Sequence, residues 1–506
     1  MSDVVVIGGG HNALIAAAYL AQAGLGVTVL EAGGAVGGGT ITEELLLPGW
    51  RHDSCSSAHA LIQGNPVIRD DELGLVSAYG LRYAYTEPAA VLPLGRDDAL
   101  VLHRGAEQTA DELARFSARD ARRFTELVDE WNAGLKQAHR RWNAGLPPGG
   151  DDASRAYEQL RRRSAHDVVF SNFESPQARR LLLWMGFASF QPPTRAGTGV
   201  LPLSTTAGRL EYGWATPVGG SGALPAALVR HITGHGGTVL TSARAEQIVI
   251  EGGRAAGVRT GDGRTFRARR AVVSSAHITA LPGLLGEHSC PPDIAAAVAA
   301  WQPGIPLFAL HAALREEPRY VLASGERVRS TAGGLGSPEG ILRQVRGCDT
   351  GEPETEDPWL LLVSSTVADP ERAPGATFKI LTAAPWQLPG GQSWDNVGEA
   401  YGQRLLEIAR GRVEGLDAGS VLAVRCETPV SLSQRNPANV GGSCHGGEFR
   451  LPGGEVIPGW PSHATSVDGL FLTGSTTHPG GSVSGWPGRN AAFRVLDRLG
   501  VRAATG

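Results

Sequence analysis

Three groups of residues in this chain have the types and spacing to do chemistry. The first is Gly8-Gly9-Gly10-His11-Asn12-Ala13, which fits G-x-G-x-x-G/A through Gly8, Gly10 and Ala13. Glycines at these points let backbone approach a pyrophosphate, whose charge the N-terminus of a following helix stabilises. Glu31 lies about 20 residues further on, where a dinucleotide fold places an acid that accepts from both ribose hydroxyls and repels a 2′-phosphate. The second group is the glycine-rich run from Ala32 through Gly38 and Gly39 to Thr40. A lone nicotinamide site does not need such a loop, whereas flavoproteins use one to run backbone along the phosphates and ribityl chain of FAD. The third is Gly474 to Gly485 (GSTTHPGGSVSG), where Gly474, Ser475, Gly480, Gly481, Ser482 and Val483 lead into a helix. A glycine loop at a helix N-terminus stabilises negative charge on a reduced flavin ring.

The elements that would hold these loops are legible from pattern. Val4-Val5-Val6-Ile7 reads as a strand, Leu14 to Ala23 as an Ala-rich helix stopped by Gly24, and Val27 to Leu30 as a second strand ending at Glu31. Charged, helical sequence from Glu107 to Trp142 and from about Ala153 to Met185 gives a helical insertion over roughly 105–200, broken at Leu146-Pro147-Pro148-Gly149-Gly150. Alternation returns with a helix from Leu224 to Thr233, a hairpin at Ala245–Val249 and Ala255–Val258, and a strand at Arg269–Ser275. Gly219 to Gly222 has neither a strongly apolar strand before it nor an acid at the right offset, so it reads as a helix start and not a second nucleotide site. Strand-like runs at Pro306–Leu314, Trp359–Val367 and Thr377–Ala383, with one helix near Val397–Arg410, give a sheet-containing second half. Gly469 to Ser475 is a last strand, and Pro487 to Leu499 a closing helix.

Bulk properties narrow the function classes. At 506 residues the chain is long enough for two domains. A net charge of -4 gives no field that would draw nucleic acid. Arginine replaces lysine almost everywhere; only Lys136 and Lys379 occur. Cys55, Cys290, Cys348, Cys426 and Cys444 are far apart, so spacing suggests neither a redox disulfide nor a zinc site, and no metal is expected. The first apolar run belongs to the nucleotide fold and no run approaches a membrane span of about 20 residues, so the expected location is cytoplasmic, with peripheral membrane contact left open.

The loops together resemble the FAD-dependent phytoene desaturase-like family, in particular its subgroup similar to pyridine nucleotide-disulfide oxidoreductase domain-containing protein 2. The matching residues are Gly8 to Gly24, Gly33 to Gly39, Pro217 to Leu228 (PVGGSGALPAAL), Gly441 to Gly447 (GGSCHGG) and Gly474 to Ala492. The resemblance implies a mixed α/β fold of two domains. A Rossmann-like, p-hydroxybenzoate hydroxylase-like FAD domain would take 1–75, 215–290 and 440–506. An interleaved substrate domain would take 76–214 and 291–439. It further implies noncovalent FAD, a backbone contact from Ala245 to the adenine, and a largely apolar substrate that is desaturated, saturated or isomerised. Gly39-Thr40 stands where the family has a basic residue, and Ser475 where it often has an acid, departures that bear on how FAD is oriented.

For catalysis, His478 and His445 sit in two of the family-like loops, each able to assist the reaction or to hold its loop by a hydrogen bond. His11 reads as packing at the phosphate turn. Gly480 and Gly481 are expected to let backbone pass against the flavin ring. Flavin amine oxidases often place a lysine near the ring; Lys136 in the insertion and Lys379 on a strand-like run are not obvious candidates. Without a second nucleotide site, electrons are expected to leave to oxygen, a quinone or another diffusing acceptor. Three functions compete: dehydrogenation of a hydrophobic small molecule, non-redox isomerisation using reduced FAD, and non-enzymatic binding on the same fold; amine or alcohol oxidation is a further variant of the first.

Overall fold

The computed structural model describes residues 1–286, 290–449 and 463–502, so short stretches of the expected 215–290 and 440–506 segments lie outside the described residues. Its first sheet grows from the opening strand. Val4, Val5, Val6 and Ile7 are all buried, because both faces of the sheet are covered. Val4 and Val6 pack with Val27, Val29, Ala271 and Val273 under helices, while Val5 and Ile7 pack with Leu30, Val272, Leu470 and Leu472 on the other side. A continuous β-branched run is what a strand covered on both faces requires. Five strands run parallel in the order Leu470–Leu472, Thr265–Ser274, Ser2–Ile7, Val27–Leu30 and Thr238–Leu240. The antiparallel hairpin Ala245–Glu251 and Arg254–Thr260 extends from the first half of Thr265–Ser274.

The first helix spans His11–Gln22, three residues longer at its start than pattern alone indicates, because Gly10 in extended backbone begins it. The closing helix, Trp486–Leu499, packs along it. Their contact is close: a β-carbon on Gly488 would stand 2.3 Å from the Asn12 carbonyl oxygen and 2.9 Å from Ile15 Cβ.

A second sheet of seven strands takes its chain from 90–102, 307–383 and 421–427. It is antiparallel except between Ala90–Pro93 and Ala332–Leu335. One face, with Phe308, Leu310, Leu360, Leu362, Phe378 and Ile380, carries the helix Trp394–Arg410. The opposite face packs against the helical segment through Leu181 to Phe187. That segment runs from Ala106 to Phe187 and continues in a further helix, Leu201–Tyr212.

The strand pattern of the second half hides a short helix, Pro429–Arg435, and a longer one, Pro338–Thr350. Ser337 caps it by accepting from Gly340 N–H at 3.0 Å, and Pro338 suits its first turn. Gln344 and Gly347 interrupt its buried face, which is why periodicity misses it. Among the described residues no helix is long and apolar enough to cross a membrane.

The Gly488 contact sets a measurable constraint. Gly488→Val forces the two helices apart and is expected to cost about 1–3 kcal/mol of stability, the usual range for overpacking. Because the displaced atom belongs to Asn12, cofactor retention should fall with it. Denaturant unfolding and bound flavin per chain check both; an unshifted unfolding midpoint contradicts the packing argument.

Candidate functional site

The two sheets face each other across a cavity of about 620 Å³, within the range of small-molecule sites. Its nucleotide half is built by the glycine loops. Gly8 adopts φ +93°, and a β-carbon there would lie 2.2 Å from Ser275 Oγ, so only glycine fits. Glu31 sits at the end of its strand and ties two loops together: Gly9 N–H donates to Oε2 and Gly33 N–H to Oε1, both at 2.6 Å. The second glycine cluster lies on the first, with Gly37 N–H donating to the Gly9 carbonyl at 2.8 Å.

This half fits an extended anionic dinucleotide. No side chain caps the first turn of His11–Gln22, the space beside Gly10 is open, and Asn12 Oδ1 is buried without a donor. A phosphate would take the free N–H groups of that turn, and a cofactor hydroxyl would satisfy Asn12. Gly8, Gly10, His11, Asn12, Ala13, Glu31, Ala32, Gly38, Gly39, Ala245, Gly474, Ser475, Gly481, Ser482 and Val483 all line this one cavity. Thr40 does not; it is buried, and its hydroxyl donates to the Gly37 carbonyl at 2.7 Å.

The C-terminal loop joins the cavity to a neighbouring chamber of about 760 Å³, which Gly480 and His478 line. His11 Nε2 donates to the Ser482 carbonyl at 3.2 Å and so holds this loop to the phosphate turn. A β-carbon on Gly481 would lie 2.5 Å from the His445 carbonyl oxygen, so the room this glycine leaves is filled by the 441–447 loop. His478 Nε2 donates to the Trp142 carbonyl at 2.5 Å, with its ring edge-on to Trp142, and thereby ties its loop to the helical segment. His445 borders both chambers and lies against Phe190; among the described residues its Nδ1 has no partner, and burial pulls it down to about 4, leaving it neutral.

The second sheet supplies the other wall. Alternate residues of three strands (Leu307 and Ala309, Leu361 and Val363, Lys379 and Leu381) line the cavity. Lys379 therefore stands at the site, contrary to its unpromising position in sequence. Period-two alternation places it on the cavity face, where it donates to the carbonyls of Asp53 and Cys55. His311, its neighbour across the strand pair, hydrogen-bonds Glu427 Oε2 at 3.1 Å, and Glu427 Oε1 pairs with Arg435 at 2.7 Å. Burial opposes the Glu427 charge, but His311, Arg435 and Lys379 together hold it down to about 2.

Cysteine spacing gave no pairing signal, yet the fold sets Cys55 and Cys444 side by side in the cavity wall as free thiols. The hydrogen bond from Cys444 brings Cys55 down to about 7 against the opposing effect of burial. Phe190, Arg209, Trp214, Ser275 and His277 are further lining residues that sequence reasoning missed. The lysine could have been suspected from its rarity; the others carry no local signal.

At the helix start after Gly222 the backbone donors are already taken. Gly219 N–H donates to Asp369 at 2.7 Å, Ser221 N–H to Asp53 at 2.8 Å and Gly222 N–H to Thr42 at 3.0 Å, leaving no phosphate cradle. Among the described residues no cluster of His, Cys, Asp and Glu has the makings of a metal site.

Comparison with known proteins agrees with this geometry. A family model described as flavin containing amine oxidoreductase matches residues 14–372. The chain is 28% identical to one of the subunits of limonene dehydrogenase from Castellaniella defragrans, over 99% of this chain and 95% of that protein. It is 25% identical to mouse pyridine nucleotide-disulfide oxidoreductase domain-containing protein 2, over 98% and 94% respectively, which bears out the subgroup resemblance. A variant of putrescine oxidase superposes with a TM-score of 0.66 at 16% identity, covering 99% of both chains, a likeness of fold.

Two outcomes follow from the site. Glu31→Gln keeps the shape but gives up the charge, and loss of a charge-assisted hydrogen bond is worth about 1.5–3 kcal/mol. FAD affinity should fall about tenfold or more, read by flavin fluorescence on titration of the apoprotein; unchanged affinity excludes the ribose-holding role. The second concerns pH. Burial holds His11, His139, His445 and His463 at about 4 and His59 at about 3, against an ordinary 6.5. The unfolded chain therefore binds protons between pH 6.5 and about 4 that the folded chain does not, so stability falls as pH falls through that window. Thermal melts across it should show a steady decline; a flat profile would contradict neutral burial of these rings.

Proposed function

The chain belongs to the flavin containing amine oxidoreductase family and is an FAD-dependent oxidoreductase, and from that premise we propose that its substrate is a largely apolar small molecule, dehydrogenated in the cleft between the two sheets. The observation that carries the substrate class is the wall facing the glycine loops. Leu307, Ala309, Leu361, Val363, Leu381 and Leu432 form a dry surface that orients an apolar skeleton and excludes water. The cofactor supplies the hydride acceptor.

The residues of this chain perform the remaining tasks. The uncapped turn at His11 to Ala13 would hold the pyrophosphate of the dinucleotide and the Glu31 carboxylate its adenosine ribose. Lys379 holds the 53–56 segment of the wall through two carbonyls. His445, neutral and with Nδ1 free of partners, is the ring placed to accept a proton at that atom. His478 is committed through Nε2 to Trp142 and serves as a positioning residue. With no second nucleotide site among the described residues, the reduced cofactor would be reoxidised by a diffusing acceptor, oxygen or a quinone.

Oxidation of an amine is the second reading, and Lys379 in the cleft is the observation in its favour. The charges argue against it. Arg209 and Lys379 are the charged groups of the substrate wall, whereas the acids lining the cavity are Glu31 and Glu246. Glu31 is engaged with the glycine loops, and Glu246 neighbours Ala245, the expected adenine contact. A protonated amine would meet cations.

The deciding measurement is anaerobic bleaching of bound flavin by limonene, an apolar olefin, and by putrescine, a diamine. Apolar olefins as a class are expected to reduce the flavin and amines to leave it oxidised. Bleaching by putrescine alone would overturn the reading.

A further inference from the structure

Arg209 is a cation without an anion. It lies on the helix Leu201–Tyr212 and lines the main cavity. Among the described residues its guanidinium makes no hydrogen bond and no ion pair, and its Nε is enclosed without an acceptor. Burial alone pulls it down to about 10, with no carboxylate near enough to offset that effect. Its contact is with the face of Trp214, 4.2 Å from the ring centroid. Trp214 Nε1 is likewise enclosed and without an acceptor. Two donors thus share one corner of the cavity, and among the described residues no group accepts from Arg209 Nε or Trp214 Nε1.

The acid nearest in the helix is spoken for: Glu211, two residues from Arg209, pairs with Lys136. The adjoining chamber, walled by the same helix through Gly208, Glu211 and Tyr212, reinforces the sign of the field. Of the five basic side chains that line it, Lys136, Arg161 and Arg195 pair with Glu211, Glu158 and Glu448, and Arg140 and Arg162 add positive charge. Arg209 is half-buried with its Nε enclosed, and a cation partly withdrawn from water loses solvation that stacking on an aromatic face returns only in part. A ligand anion would supply the missing partner.

We propose that Arg209 receives the carboxylate of an otherwise apolar substrate, so that this protein acts on an amphiphilic organic acid. The inference rests on the dehydrogenase reading and narrows it. The guanidinium fork matches a carboxylate bidentately, which fixes the register of the alkyl chain along Leu361, Leu381 and Leu432. The one other source of an anion in this cleft is the pyrophosphate of FAD, and the experiment separates the two.

The FAD-loaded full chain is titrated with octanoate and with 1-octanol, reading the shift of the flavin absorption spectrum and tryptophan fluorescence, in the wild type, Arg209→Gln and Arg209→Lys. Bound FAD per chain is measured for each. The wild type should bind octanoate, and added salt should weaken octanoate but not octanol. Arg209→Gln should weaken octanoate about tenfold or more and leave octanol unchanged, while Arg209→Lys keeps part of the octanoate affinity. A wild type that binds octanoate no better than octanol overturns the proposal, and this arm holds even where the glutamine variant does not fold. Loss of FAD from Arg209→Gln with octanoate affinity retained also overturns it, assigning the guanidinium to the cofactor phosphates. If the wild type carries no FAD, the dehydrogenase reading fails, while the fluorescence titration still decides the carboxylate site.

Discussion

A single guanidinium with no exposure, Arg372, joins the two halves of the molecule. It bonds Asp53 at 2.5 Å and Asp369 at 3.0 Å, and donates to the Pro217 carbonyl at 2.7 Å. Asp53 in turn accepts from Thr42 and Ser221, and Asp369 from Gly219. The strand Arg51–Asp53, the start of the helix Ala223–Gly234 and the connection between strands Leu360–Val363 and Ala376–Ala383 of the second sheet are therefore fixed to one buried charge. Such a triad need not add net stability, since desolvation consumes much of its Coulombic gain. It is unforgiving, because removing one partner strands the others in a dry interior at about 3–5 kcal/mol. What it secures is position: residues 54–58, directly beyond Asp53, form cavity wall, and Lys379 holds the same stretch from the opposite sheet. The cleft keeps its width because its floor is pinned from both sides.

The nucleotide half of this design was legible in sequence and the substrate half was not, for a physical reason. Val4 to Ile7, the glycine turn, the first helix and Glu31 act within one βαβ unit. Each residue's requirement (β-branching, small size, a carboxylate at a strand end) is local and appears at a fixed offset. Lys379, Arg209 and Trp214 belong to different elements, and nothing in their neighbours marks which face of a strand or helix meets a cavity. Cys55 and Cys444 make the same point: spacing rules detect pairs bridged by a turn, not pairs joined by the packing of two sheets. Gly481 is intermediate. Its need to be glycine was visible, but the atom that enforces it, the His445 carbonyl, comes from a loop 36 positions earlier in the chain.

The fold by itself leaves the substrate open, since a putrescine oxidase variant shares it at 16% identity. Selectivity must lie in the wall, and here the wall combines aliphatic area with cations. Apolar area rewards any hydrophobic skeleton without choosing its orientation, because the hydrophobic effect is not directional. A charge on that wall breaks the degeneracy. On the proposed reading it would repel protonated amines and anchor an anion, so one pair of features would set both the class of molecule admitted and the end that enters first.

That charge is also independent of pH across the neutral range. Four histidines of the two chambers and the phosphate turn, His11, His139, His277 and His445, are held by burial at about 4 and are uncharged above it. Arg209, even drawn down to about 10, keeps its proton throughout neutrality. Over that range the imidazoles therefore neither add to nor subtract from the positive field of the cleft. A protein built this way recognises charge with guanidinium groups and reserves its imidazoles for hydrogen bonds and for proton transfer as neutral acceptors. Burial makes that division of labour by acting unequally on the two side chains. It lowers both, but an imidazole starts near 6.5 and loses its charge, whereas a guanidinium starts above 12 and keeps it.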